Sequence, residues 1–434
     1  MLKSFLCNSK NKDKDAYIWN TFSAMLNAFM TVFILMFISR IDPVTDAGIF
    51  TIAFAIGNLM LTIGRYGIRQ FQVSDINEKY SCQDYIYARL ITCLAMILVS
   101  FFYIFRNYIS DLYDTEKSLV IALICGMKIV DAMEDVFHGM LQQHGRLDIA
   151  GKVLSIRLLG YILSFILVYV FTQSLILASV ISLLLTILLF LILNRIGLSD
   201  FQISKQPFSF KKAGALLIEC FPLFLSYYFV MYISNAPKYA IDTVLDNEAQ
   251  ACFNYIFMPV FVIGLLSQFI YQPAINKLSY IWHEGRIRQF IKLILIQCGI
   301  ILGLAVCAVV GGGLLGIPVL SLIYGVDLSG YRENLVILLI GGGILAYVNF
   351  FQMIITVVRK QKWLLIGYGF SYLLFICFGR IIVKKWGIYG ISVFYSAVIA
   401  VIAVIFLGIT STILFFRIRK MNKKYYHDLK QNTD

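Results

Sequence analysis

Residues 58–75 read NLMLTIGRYGIRQFQVSD. They begin as an apolar run and end with two arginines, Arg65 and Arg69, without leaving a helical pattern. Asn58, Thr62, Arg65 and Arg69 stand at i, i+4, i+7 and i+11, and at 3.6 residues per turn those positions share one face. Residues 48–63 carry no charge. A polar stripe ending in arginines on an apolar helix predicts a membrane helix that lines a wet, anion-attracting cavity. The rest of the chain reads as the housing for that cavity.

The 434 residues are 60% apolar and only 14% charged, with a mean hydropathy of +0.80. Soluble domains run at about 45–50% apolar and about 25% charged, so this is a polytopic membrane protein. The formal charge of +13 sits in short scattered loops. That pattern reads as topology signals facing the cytoplasm and gives no support to a nucleic-acid partner. The nine cysteines form no C-x-x-C pair and mostly lie in apolar runs, and the four histidines show no metal-ligand spacing. Neither a disulfide framework nor a metal centre is expected.

Crossing about 30 Å of hydrocarbon takes roughly 20 residues. That window gives about twelve spans, at 16–39, 48–69, 86–105, 118–140, 153–171, 174–194, 214–235, 250–272, 290–315, 334–357, 363–383 and 387–416. The polar, basic segment 1–15 precedes a long apolar run with no small-residue cleavage site, which reads as an uncleaved first span. The glycine triplet at 311–313 and Pro318 are expected to interrupt the ninth span. Most of the 37 Lys and Arg fall in the odd-numbered, cytoplasmic segments when the N-terminus is inside, so both termini are expected in the cytoplasm.

The halves look related. Leu112-Tyr113-Asp114, a span and the turn at 143–146 are paralleled by Ile323-Tyr324-Gly325, a span and the turn at 359–362. The polar segment 194–214, with Pro207, is expected to join an N-terminal lobe, 1–200 (spans one to six), to a C-terminal lobe, 201–434 (spans seven to twelve). Paired halves are the signature of transporters that alternate access around a site near the bilayer midplane.

Several spans carry polar faces. Asn20, Ser23, Asn27 and Thr31 align in span one. Lys128, Asp131, Asp135 and His138 align in span four beside Glu134, and Asn349, Gln352 and Thr356 align in span ten. Glu219 lies in span seven, and Gln268 and Gln272 in span eight. An ionisable group at the centre of the hydrocarbon costs at least about 2.5–3.5 kcal/mol, so it faces a cavity or a partner. Lys128 and Asp131, one turn apart, are placed to neutralise each other. Arginine's planar fork suits a diphosphate, binding two oxygens and staying charged at physiological pH. Asp131, Glu134, Asp135 and Glu219 are candidates for binding H⁺ or Na⁺ as a coupling ion; no other cofactor is expected.

At three stretches the chain resembles polysaccharide or O-antigen flippases of the Wzx type, in the MATE-like multidrug/oligosaccharidyl-lipid/polysaccharide exporter superfamily. These are residues 64–75 (GRYGIRQFQVSD), 235–242 (NAPKYAID) after span seven, and 318–325 (PVLSLIYG) followed by a span and the 359–362 turn (RKQK). With the spans, the similarity covers nearly the whole chain. The resemblance implies an all-α membrane protein of two six-helix lobes in a V around a cationic cavity. It also implies a substrate, an undecaprenyl-diphosphate-linked oligosaccharide, moved from the cytoplasmic to the outer leaflet of a bacterial cytoplasmic membrane by ion-coupled antiport. Polysaccharide polymerase and other assembly proteins are its implied partners. On this reading Arg65 and Arg69 hold the diphosphate, helped by Arg89, Arg157 and Lys238. Asn27, Asn58, Thr62, Gln268, Gln272, Asn349 and Gln352 contact the sugars, and the lipid tail stays in the bilayer.

One rival is a drug or metabolite antiporter of the same fold, whose cationic substrates call for acidic rather than cationic cavity groups. A second is a membrane-embedded polymerase or glycosyltransferase. Such enzymes usually carry a large external loop, whereas here only Asp111, Asp114 and Glu116, and Asp242, Asp246 and Glu248, are offered by short ones.

Overall fold

The computed structural model describes residues 2–41, 44–75, 79–201, 209–271 and 274–431. Among them there is no strand. The order is α1 (Leu2–Cys7), α2 (Lys12–Ile41), α3 (Val44–Arg65), α4 (Ile68–Ser74), α5 (Cys82–Ile109), α6 (Thr115–Gln143), α7 (Leu147–Thr172) and α8 (Leu175–Gly197). There follow α9 (Phe210–Asp242), α10 (Asn247–Tyr271), α11 (Ala274–His283), α12 (Ile287–Gly311), α13 (Ile317–Tyr324), α14 (Arg332–Val357) and α15 (Leu364–Gln431).

Among the described residues, ten helical stretches are long and apolar enough to cross a membrane. α6 is as long as its neighbours but holds five ionisable residues between Lys128 and His138, all buried, so apolarity alone overlooks it. α15 is broken at Gly387, whose φ of 57° and ψ of −144° leave the helical region. Its apolar stretch Gln361–Arg419 is 59 residues long, enough for two crossings at roughly 20 residues each. With α6 added and α15 divided, the expected count of about twelve spans is met.

Three expectations about helix limits are corrected. The second span does not run on to residue 69. It ends at Arg65, and Tyr66 (φ 48°) and Gly67 (φ 70°) turn the backbone left-handed before α4 starts. Glycine adopts that conformation without strain, and a Cβ at Gly67 would also press on the Leu223 side chain. Second, the stretch 235–242 does not follow the seventh span but completes it, because α9 runs through both Pro222 and Pro237 to Asp242. Proline removes one hydrogen bond of the helix ladder, yet the end of α9 is held from outside, where Asp242 pairs with Lys117. Third, the glycines at 312–316 form a π-helical turn between α12 and α13, so the apolar stretch continues from Ile287 to Tyr324.

The chain parts into two compact units, residues 1–251 with 324–326, and residues 252–323 with 327–434. The boundary lies beyond residue 200 because α9 packs on α3 and α5. The Tyr66 and Phe224 rings stack at 4.4 Å, and the Tyr239 hydroxyl donates to the Ala55 carbonyl at 2.9 Å. Pro207, in the expected linker, lies outside the described residues.

In the first unit α3 is the central element: 83% of its apolar stretch is buried, against 28% for α2. It is apolar nearly all round, as a core helix must be, and it packs on α5, α6 and α9. Gly48 lets it approach the start of α10, where a Cβ would collide with the Asn247 carbonyl. α2 lies along α7, and α7 along α8. In the second unit α14 packs on α12 and α15, and Phe257 meets Tyr395 edge-on at 5.0 Å. Its buried polar side chains are amides and hydroxyls, such as Asn254, Ser267, Gln297, Asn334 and Ser371. Every buried Asp, Glu, Lys, Arg and His among the described residues belongs to the first unit.

Candidate functional site

The charged face of α6 organises the site. Successive residues turn by about 100°, so Lys128, Asp131, Glu134, Asp135 and His138 fall on one side of the helix. Arg157 of α7 comes down between two of the carboxylates. Its Nη2 donates to Asp131 Oδ1 at 2.7 Å and its Nε to Glu134 Oε2 at 2.8 Å. The second oxygen of Asp131 accepts from Lys128 Nζ at 3.3 Å, and that of Glu134 from Asn194 Nδ2 at 3.1 Å. Lys128 also lies over the Phe54 ring, 4.2 Å from its centroid. Asp131 and Glu134 therefore have both oxygens engaged, which is what charges so deeply buried require.

Asp135 is held differently. Its Oδ2 accepts from Arg89 Nη2 at 2.8 Å, and Arg89, wholly buried, donates its other terminal nitrogen to the Gly64 carbonyl. Its Oδ1 faces Arg69 Nη1 at 3.4 Å and Arg65 Nε at 3.9 Å. Both distances exceed the roughly 2.7–2.9 Å of a strong charge-assisted hydrogen bond. Arg69 has a second tether, Nη2 to Gln142 Oε1 at 3.0 Å. The side chains of Arg65 and Arg69 are 48% and 27% exposed, whereas the other charges of the cluster are buried.

The left-handed turn at Tyr66–Gly67 has a chemical consequence. Arg65 and Arg69 do not share the face of one continuous helix, as the i, i+4 spacing predicts; they reach Asp135 from two helices. α4 is anchored in turn by Asp75, which accepts from the Lys79 and Tyr80 amides and from the Tyr85 hydroxyl at 2.8 Å. Burial works against the Asp75 carboxylate, but these hydrogen bonds outweigh it and hold the group below the usual carboxylate range.

These side chains border a cavity of about 220 Å³, lined by Asn20, Ser23, Ala24 and Asn27 of α2, by Arg65 and Arg69, by Asp131, Glu134, Asp135 and His138 of α6, and by Leu154, Arg157 and Leu158 of α7. Five cations (Arg65, Arg69, Arg89, Lys128, Arg157) meet three carboxylates (Asp131, Glu134, Asp135). With His138 counted as neutral, two positive charges are left over.

Of the residues read from the sequence, Asn27, Arg65, Arg69, Arg157, Asp131, Glu134 and Asp135 are brought together here. Arg89 supports the cluster from behind. Asn58 and Thr62 do not line this cavity, and the Thr62 hydroxyl donates to the Leu59 carbonyl of its own helix at 2.6 Å. Lys238 is buried in α9, away from the lining. Glu219 lies elsewhere, accepting from Lys79 and from the Tyr80 hydroxyl. Gln268, Asn349 and Gln352 belong to the second unit, where Gln352 accepts from the Tyr368 hydroxyl at 2.6 Å. Gln272 lies outside the described residues. Asn194 and Gln142 were not foreseen; each is an ordinary amide near a helix end, with no signal in its spacing. Two of the acids considered for an enzyme have structural work: Asp114 caps α6 and Asp242, at the end of α9, pairs with Lys117 at 2.7 Å.

No family profile matches the chain. By sequence it is similar to the capsular polysaccharide biosynthesis protein CapF of Staphylococcus aureus, with 24% identity over 374 residues, 84% of this chain and 91% of that protein. By structure it is similar to an inward-facing multidrug resistance MATE transporter of the MOP superfamily, with 15% identity and a TM-score of 0.69 over 93% of this chain and 99% of that one. It is likewise similar to the lipid II flippase MurJ in an inward closed conformation, with 16% identity and a TM-score of 0.70 over 95% and 92% of the two chains. The chain is thus a multi-pass, all-helical membrane protein with the fold of that MATE transporter and of MurJ. The resemblance to polysaccharide flippases read from its motifs is borne out.

Proposed function

We propose that this chain is a flippase that moves a polyprenyl-diphosphate-linked saccharide from the cytoplasmic to the outer leaflet of a bacterial cytoplasmic membrane, with both termini in the cytoplasm, to supply O-antigen, capsule or another surface polysaccharide. The observation that carries this reading is the charge imbalance of the cluster that borders the cavity. Two positive charges are in excess, and the accessible cations are Arg65 and Arg69. A diphosphate offers several oxygens to two planar guanidinium forks, and the attraction is stronger away from bulk water.

The cavity, about 220 Å³, is smaller than the roughly 300–1,000 Å³ of ordinary ligand pockets. It suits the diphosphate, with the sugars reaching beyond it past neutral groups such as Asn27 and the lipid tail left in the bilayer. An H⁺ or Na⁺ gradient acting on the cluster's carboxylates would drive the cycle, and a polysaccharide polymerase would take up the product. The fold shared with MATE and MurJ and the similarity to a capsule biosynthesis protein support the reading. A cationic drug, the natural cargo of an antiporter, would meet repulsion here.

The test is transfer of a polyprenyl-diphosphate oligosaccharide between the leaflets of proteoliposomes, with and without ion gradients. Arg65→Ala/Arg69→Ala is expected to slow transfer at least tenfold at equal reconstitution. Transfer at the wild-type rate would overturn the assignment, and drug efflux without glycan transfer would establish the antiporter instead.

A further inference from the structure

We propose that Asp135 is a displaceable internal counter-ion, whose Oδ1 occupies the place of an anionic oxygen of the ligand when the cavity is empty. The inference rests on the reading of Arg65 and Arg69 as the diphosphate site and adds a residue that sets its affinity. The three carboxylates of the cluster differ in what they would lose on ligand binding. Asp131 and Glu134 share Arg157 through bonds of 2.7 and 2.8 Å; taking that arginine away would leave Glu134 with the Asn194 amide and Asp131 with Lys128 alone, at 3.3 Å. Asp135 keeps Arg89 on Oδ2 at 2.8 Å whatever happens at Oδ1. Arg65 and Arg69, at 3.9 and 3.4 Å, can swing from Oδ1 to an incoming phosphate without leaving Asp135 unpaired.

Such a contact does two things. It keeps two arginines apart and oriented in an empty cavity, where they would otherwise repel each other. It also opposes the ligand: the carboxylate competes for the same donors and its charge repels the phosphate. A transporter must release its cargo, so a built-in competitor for the headgroup lowers affinity where tight binding would stall the cycle.

The experiment measures binding of inorganic pyrophosphate to the purified full-length protein in detergent, by titration calorimetry in metal-free buffer. Asp135→Asn is expected to bind on the order of tenfold more tightly than wild type, the size of effect one nearby charge produces. Because Asn at this position leaves Arg89 buried without a carboxylate, Asp135→Asn/Arg89→Gln is run beside it; it strands no buried charge and is expected to tighten binding at least threefold. Unchanged or weaker binding in whichever of these folds overturns the inference. Arg65→Ala/Arg69→Ala separates the two claims. Loss of binding there, with no tightening at Asp135, sinks the counter-ion and spares the diphosphate site. Binding by the arginine variant equal to wild type, or no binding by either wild type or the Asp135 variants, sinks both.

Discussion

At the Thr115 end of α6, Lys117 pairs with Asp242 at 2.7 Å. Lys117 also donates to Asn247 Oδ1 at 3.0 Å, and Asp242 accepts from the Tyr113 hydroxyl. One cation meets one anion, and both are sealed from solvent. Toward the Gln143 end of the same helix, five cations meet three carboxylates, and the two loosest arginines are the ones open to a cavity. Folding alone accounts for the first arrangement, since a buried ion pair that is balanced and hydrogen-bonded roughly breaks even. It does not account for the second. Excess positive charge in a largely apolar surrounding costs free energy, and what offsets it must come from outside the chain. Balance with burial marks a structural knot; imbalance with access is what the proposed function asks of a binding site.

The largest test of that contrast lies inside the cluster. Arg157→Ala removes the shared partner of Asp131 and Glu134 together, and breaking a buried pair of this kind costs about 3–5 kcal/mol. The variant is expected to lose most of its folded population when unfolding is followed thermally in detergent. Arg157→Lys is expected to recover little, because a point charge cannot bridge two carboxylates as a fork does. Stability near wild type would mean that the carboxylates do not depend on Arg157, and the distinction drawn among the three acids would fall.

At the other end of α6 the expected effect is smaller and reversible. Lys117→Met or Asp242→Leu alone leaves a buried charge unpaired and is expected to cost about 2–3 kcal/mol. The double variant removes both charges, and the Tyr113 hydroxyl keeps its 3.2 Å neighbour in Tyr103. Stability is therefore expected to return to within about 1 kcal/mol of wild type, with glycan transfer retained. A double variant that is stable but inactive would show that the knot takes part in transport and would erase the contrast.

How much of this was legible in the sequence follows from the range of the interactions involved. Helical period and apolar length are local, so the spans and the charged face of α6 could be read directly. The pairing could not. Arg89 and Arg157 look in sequence like two more cations for the ligand, and only the packing of α5 and α7 on α6 commits them to Asp135, Asp131 and Glu134. The break after Arg65 had a cue in Gly67, but Tyr66 also takes a positive φ, which is uncommon for such a residue. The similar halves hid a difference as well, because repeated motifs report architecture while buried charges report chemistry. Those charges all lie in the first unit, so the polar residues Gln268, Asn349 and Gln352, read as equal partners in the site, sit in a unit built on neutral amides and hydroxyls.

The smallest effect bears on Arg69, which stands between the two classes. It is partly exposed like Arg65, yet Gln142 holds its Nη2 at 3.0 Å much as Asn194 holds Glu134. Gln142→Ala removes a tether from a side chain that keeps its contact with Asp135, and a hydrogen bond to a charged, partly exposed group contributes on the order of 1 kcal/mol. If Arg69 is a ligand contact waiting on a loose counter-ion, freeing it is expected to change pyrophosphate affinity by less than about threefold and to lower stability by no more than about 1 kcal/mol. A fall in affinity of more than tenfold would show that Arg69 works only when held by Gln142. Arg69 would then belong with Arg157 among the fixed members of the cluster, leaving Arg65 as the single mobile cation facing the cavity.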